Sequence, residues 1–145
     1  MFFLKEIVLS RLHICYLSLL LFTFNSLLAQ SESLLRLTAN ASQKYCPKTE
    51  QPIVTDFNIE GNYDGDISAL YIQISSGYNR GSDELKLLGN FDNISGQWNT
   101  SEAKFTLKSI DGSALTHSQL IEAVKSVVFF SSDSNPTVDR YISIT

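Results

Sequence analysis

Tyr71-Ile-Gln-Ile-Ser-Ser-Gly-Tyr78, Gly81-Ser-Asp-Glu-Leu85, Ile94-Ser-Gly-Gln-Trp98, Lys104-Phe-Thr-Leu107 and Val127-Val-Phe-Phe-Ser131 follow one another as short strand-like segments broken by Gly, Asn, Asp and Ser. Around the first, Leu70, Ile72 and Ile74 alternate with Tyr71, Gln73 and Ser75, the period of two that a half-buried strand requires. The same alternation puts Ala103, Phe105 and Leu107 inward and Lys104, Thr106 and Lys108 toward water, with Asn99-Thr-Ser101 as the turn before them. Leu85 and Leu87 share a face opposite Lys86, and Gly77 to Asp83 bridges them to the preceding strand. Strands this regularly spaced, with turn residues between them, predict an all-β, two-sheet antiparallel sandwich rather than an α/β sheet.

Thr116 to Ser126 departs from the pattern. Thr116 can cap a first helical turn, and Gln119, three residues on, can return the bond, while Leu115 and Leu120 are placed to form a hydrophobic staple. Leu120, Val124 and Val127, with Ile121 beside them, make one apolar stripe. One short helix is therefore expected as a lid on the end of a sheet, before the last two strands. Those strands are Val127 to Ser131 and, after an Asp133-Ser-Asn-Pro136 turn, a segment in which Val138, Arg140, Ile142 and Ile144 alternate.

Working outward to the amino terminus, Ile53 to Ile59 reads as a strand with Ile53, Thr55, Phe57 and Ile59 on one face. Before it, Tyr45-Cys-Pro-Lys-Thr-Glu-Gln-Pro52 is a proline-punctuated link, since each proline disfavours helix at the residue before it. Ser31 to Lys44 suggests a leading edge strand and a connector. Residues 1–29 read as a secretory signal peptide: Lys5 and Arg11 give a basic start, Ile14 to Phe24 an apolar run, and Leu27-Leu-Ala29 a cleavage point. That run falls short of the roughly 20 apolar residues of a membrane-spanning helix. The organisation expected is a signal peptide over 1–29, a leading strand and linker over 30–52, and a sandwich over 53–145, secreted or displayed at the cell surface with no membrane span after cleavage.

Cleavage leaves 116 residues, one domain, with nine basic and fourteen acidic side chains. No basic patch is present to neutralise a nucleic-acid backbone. One cysteine remains, Cys46, which is buried, free or paired with another chain, and the favoured reading is a buried small apolar side chain. One histidine remains, His117, placed in the first turn of the helix. A nucleophilic triad or an ordinary zinc site cannot be built from these. No Gly-rich phosphate loop links a strand to a helix, and nothing supplies the apolar pocket that a paired-carboxylate glycosidase needs. Catalysis is not expected.

The carboxylates form the one polar group with a chemistry to weigh. Asp64 and Asp66 lie in the Gly61-Asn-Tyr-Asp-Gly-Asp66 loop and Asp83 in the next, with Asp56 and Asp139 as second choices. Calcium takes six to eight oxygen ligands, which loops at one end of a sandwich can gather, so Asp64, Asp66 and Asp83 are the candidate calcium ligands. Asn40-Ala-Ser42, Asn93-Ile-Ser95 and Asn99-Thr-Ser101 fit the N-glycosylation pattern. Trp98 and Tyr78 could form a sugar-stacking platform, the basis of an alternative reading as a carbohydrate-binding module.

From Ile53 to Thr145 the order of segments resembles the cadherin-like repeat of large bacterial surface adhesins. The residues that carry the resemblance are Asp64-Gly-Asp66, Ile74-Ser-Ser-Gly-Tyr78, Gly81-Ser-Asp-Glu-Leu85, Gly96-Gln-Trp-Asn99, Phe105-Thr-Leu107, Leu120 to Val127 and Asn135-Pro-Thr-Val-Asp-Arg140. With Tyr45-Cys-Pro47 the chain looks like the amino-terminal module of exported proteins that often carry a C-type-lectin-like domain and a type IX secretion sorting domain. The resemblance implies an adhesion or spacer module, isolated or truncated from a larger adhesin. Its implied partners are a cell-surface protein or glycan and the neighbouring modules of that adhesin.

Overall fold

The computed structural model describes residues 35–41, 44–61 and 67–145. Nine strands and one helix run through them: β1 (Arg36–Asn40), β2 (Gln51–Pro52), β3 (Asp56–Glu60), β4 (Ala69–Ser76), β5 (Asp83–Leu87), β6 (Ile94–Asn99), β7 (Lys104–Ser109), α1 (His117–Lys125), β8 (Val127–Ser131) and β9 (Tyr141–Ile144). The protein is all-β with one short helix before the last two strands, as the alternation predicts. Hydrogen bonding divides the strands into three antiparallel sheets, in the orders β6-β7-β4-β9, β2-β8-β5 and β1-β3.

β4 and β7 are the backbone of the largest sheet. Leu70 lies opposite Leu107 and Ile72 opposite Phe105, so the inward positions of the two strands coincide. All four side chains are buried, with Ile72 and Leu107 fully enclosed. A one-residue slip would turn this apolar row to water, which fixes the register. The β6–β7 hairpin is set by a local device. Asn99 Oδ1 accepts hydrogen bonds from the Ser101 backbone N–H at 3.0 Å and the Ser101 hydroxyl at 2.7 Å, and Ala103 then takes a positive φ of 51°. Gly96 lies opposite Leu107, and a Cβ there would collide with the Phe105 ring.

The helix forms as the capping pattern predicts. Thr116 Oγ1 accepts from the Gln119 backbone N–H at 3.2 Å, and the Gln119 side chain accepts from the Thr116 N–H at 2.9 Å. Leu115 and Leu120 are both buried, in the positions of a staple. Leu120, Ala123 and Val124 are sealed from solvent, and the helix packs on β3. Lys125 pairs with Asp56 at its last turn at 2.9 Å.

Four expectations change. The strand predicted from Ile53 begins only at Asp56. Ile53 and Val54 are buried ahead of it, and Thr55 is exposed because its hydroxyl and N–H both donate to Asn40 O at 2.8 Å. Residues 36–40 form the leading edge strand expected there, Leu37 opposite Ile59, but residues 51–52, expected as part of a link, pair with β8, Gln51 opposite Phe129. Val138 is 59 % exposed and outside β9, which begins only at Tyr141, after the Arg140 side chain has entered the interior. Cys46, expected to be buried, is exposed; Tyr45 beside it points inward and meets Phe129 edge to face at 5.0 Å.

Candidate functional site

One of the polar residues singled out by sequence, Asp83, lies in a charged cluster at one end of β8. Asp83 opens β5 opposite Ser131, the last residue of β8, and its inward register position buries its carboxylate. A buried carboxylate needs a cation and hydrogen bonds to offset its lost hydration. Arg140 supplies both: its Nε donates to Asp83 Oδ2 at 2.8 Å and its Nη2 to Oδ1 at 3.3 Å. The two side chains are 0 % and 6 % exposed. Asp83 in turn holds the guanidinium charged, raising Arg140 above its already high ordinary value.

The surrounding loops close on this pair. The Asn79 N–H donates to Asp83 Oδ2 at 2.8 Å, and its side-chain amide donates to Asp133 at 3.1 Å. Arg140 Nη1 also donates to the Val138 carbonyl. Gly77 sits at a φ of 76°, and a Cβ there would strike the carbonyl of Asp139. Only glycine combines that backbone conformation with so close an approach. Gly77, Asn79, Asp83, Asp133 and Arg140 are thus one clamp joining residues 77–83 to 133–140.

Of the candidate calcium ligands, Asp64 and Asp66 lie outside the described residues. Asp83 is engaged by Arg140 and Asn79 through both carboxylate oxygens. Asp56 is exposed and paired with Lys125, whose ammonium holds it below its ordinary value. Asp139 is exposed just ahead of β9. Among the described residues no three His, Cys, Asp or Glu side chains are grouped as a metal site.

Trp98 and Tyr78 meet edge to face at 5.9 Å, and both pack on the core. Tyr78 donates its hydroxyl to Thr100 O at 2.9 Å, which pins the ring across the β6–β7 hairpin. Neither ring is presented flat to solvent as an open pair. His117 is half-buried in the first turn of α1.

A second polar network sits where β7 ends. Asp111 Oδ1 accepts from Ser113 N at 2.9 Å and Ser109 Oγ at 2.8 Å, and these donors lower its carboxyl to about 2. The Asn93 side-chain amide donates to Ser113 Oγ at 2.8 Å and its Oδ1 accepts from Ser109 at 3.3 Å. A cleft of about 870 Å³ opens among Leu37, Tyr45, Ile53, Phe57, Phe129 and Ile142. The Tyr45 hydroxyl is buried there with no hydrogen-bond partner among the described residues.

Sequence reasoning missed the clamp as a unit. Its signals were present, since Gly77, Asp83 and Arg140 all fall in quoted motifs, but nothing local says that residues 57 apart form an ion pair. No helix among the described residues is long and apolar enough to cross a membrane. No protein-family model, curated protein or solved structure matches this chain.

Proposed function

We propose that this chain is an exported, non-catalytic adhesion or spacer module, presented at the cell surface within a larger assembly of modules. The observation that carries this reading is how the polar groups of its loops are spent. Asp83, Arg140, Asn79 and Asp133 bond to one another, and Gly77 lets the backbone close over them. Groups used this way stiffen a body rather than await a substrate. A stiff sandwich that holds its loops shut suits transmission of contact between surfaces.

The reading is tested in two ways. Tandem copies of the chain should scatter X-rays as an extended, stiff particle, and beads coated with it should adhere to cell surfaces or to immobilised glycans. A collapsed, flexible tandem together with beads that adhere to neither would reject it.

Calcium belongs to the same reading as a rigidifying ion on Asp64 and Asp66, with Asp83 already neutralised by Arg140. A cation bound only by the folded form raises the melting temperature as its concentration passes the dissociation constant, at roughly 10⁻⁴ to 10⁻³ M for extracellular modules. Melting in millimolar calcium against chelator, repeated on Asp64→Asn with Asp66→Asn, checks this. Equal curves for both proteins would strike the site out.

A further inference from the structure

The outer face of the sheet β6-β7-β4-β9 is a flat grid whose composition differs from the rest of the chain. Its register places Ser95 beside Lys108 and Ala69, Gln97 beside Thr106 and Tyr71, and Asn99 beside Lys104, Gln73 and Ser143. Tyr71 N and O exchange hydrogen bonds with Thr145, and Ser75 donates its hydroxyl to Tyr141 O, so β9 continues the same rows. The opposite face holds the core residues Leu70, Ile72, Phe105 and Leu107.

Three observations distinguish this face. Two large aromatic side chains lie open on it, Tyr71 at 43 % and Tyr141 at 62 % exposure. They stand roughly 14 Å apart along the strand direction, the rise of four residues. Between and beside them lie the side-chain amide of Gln97 and the hydroxyls of Thr106 and Ser143, while Gln73, Ser75 and Asn99 already bond to neighbouring residues of the same sheet and its hairpin. Finally, no outward position of the four strands is a carboxylate, although the chain carries a net charge of -4. The charges there are both positive. Lys104 lies 5.6 Å over the Tyr71 ring and pairs with Glu102 from the hairpin turn, while Lys108 is exposed with no partner among the described residues.

We propose that this face binds an extended acidic polysaccharide. A sugar ring offers an apolar face of C–H groups, which an exposed aromatic ring covers, and an edge of hydroxyls, which amides and serine or threonine hydroxyls satisfy. Two open tyrosines on a flat polar sheet suit several consecutive sugars rather than one. Lys108, exposed and without a partner among the described residues, on strands whose outward positions carry no carboxylate, selects a polymer bearing carboxylates over a neutral one. The platform differs from the Trp98–Tyr78 pair, which packs on the inner side of the same sheet. This inference rests on the adhesive reading and names its ligand class.

Affinity electrophoresis in gels containing polygalacturonate or dextran tests it, with the full chain and variants chosen at exposed positions. Polygalacturonate should retard the native protein and dextran should not. Tyr71→Ala and Lys108→Gln should each weaken retardation about tenfold, a loss of one well-placed contact, while Lys48→Gln, exposed beside β8 of a different sheet, should leave it unchanged. Melting temperatures of all variants should match the native value, which separates lost binding from lost folding. No retardation by either polymer would overturn the proposal, as would equal retardation by both or retardation indifferent to Tyr71→Ala and Lys108→Gln. A chain that binds no polysaccharide while its beads still adhere to cells would reject this face and leave the adhesive reading standing. Polysaccharide binding without bead adhesion would do the reverse.

Discussion

The two ends of β8 are held by opposite physics. At Val127 the strand leaves α1, whose Leu120, Ala123 and Val124 are sealed in apolar contact and whose first turn is capped within its own sequence. At Ser131 it runs into the clamp, where Asp83 and Arg140 bury opposite charges and Gly77 admits a backbone carbonyl. The helical end gains stability from area removed from water, which tolerates small rearrangement. The clamped end depends on pairing, where losing one partner strands the other as a buried charge.

The largest expected effect follows from that asymmetry. Asp83→Ala should destabilise the protein by about 3–5 kcal/mol, because Arg140 stays buried without its counter-charge. Adding Arg140→Met to Asp83→Leu should restore much of the loss, since a buried ion pair replaced by apolar groups of similar volume is often neutral. Denaturant midpoints of the single and double variants decide the matter. A cost below about 1 kcal/mol for Asp83→Ala would place the pair in a wet, weak environment instead.

At the helical end, Leu120→Ala should cost about 2–5 kcal/mol as a large-to-small change at a sealed position. Midpoints indistinguishable from the native protein would mean that the helix does not dock on β3. Removing the cap acts more gently: Thr116→Ala should cost about 1 kcal/mol, while Thr116→Ser keeps the accepting oxygen and most of the stability. If both substitutions cost the same, the methyl group rather than the hydrogen bond matters there.

The smallest effect is conditional on pH and concerns Asp111, whose network stands apart from both ends. Its carboxyl is depressed to about 2, below its ordinary value of 3.8. A depressed carboxylate contributes stability that is fully present above the unfolded value and is lost as pH falls toward the folded one. The gap between native and Asp111→Asn melting temperatures should therefore be widest at neutral pH and close between about pH 4 and pH 2. A gap independent of pH would show that the charge at Asp111 contributes nothing.

Most of the apolar frame was legible because strand and helix periods are local properties. Ile72 and Ile74, Phe105 and Leu107, and Leu120 and Val124 are buried where alternation and the helical stripe put them. The capping box was legible for the same reason, since both partners lie three residues apart. Asp83 was not, because a carboxylate at the start of a strand looks alike whether solvated, ligating or paired. Only the turn that brings Arg140 back across 57 residues decides between these states. Cys46 failed differently. A small apolar side chain in a compact chain is usually enclosed, but the neighbouring Tyr45 took the inward position and left the thiol outside. The sheet face with Tyr71 and Tyr141 was visible only as outward positions in separate strands. Register alone shows that they belong to one surface.

The placement of β9 on β4 has a consequence for the order in which the protein assembles. β6 meets β7 across a short turn, whereas β4 must wait for residues 141–144, which pair residue 72 with residue 144. Closing the longer loop costs more entropy, growing with the logarithm of its length. Non-local pairings of this kind slow folding. The hairpin is therefore expected to form early and β9 to join late, leaving one flank of β4 bare in the interval. Read in reverse, opening begins at the same strand, and the amides of Tyr71 and Thr145, bonded only to each other, should exchange with deuterated water ahead of those joining β4 to β7.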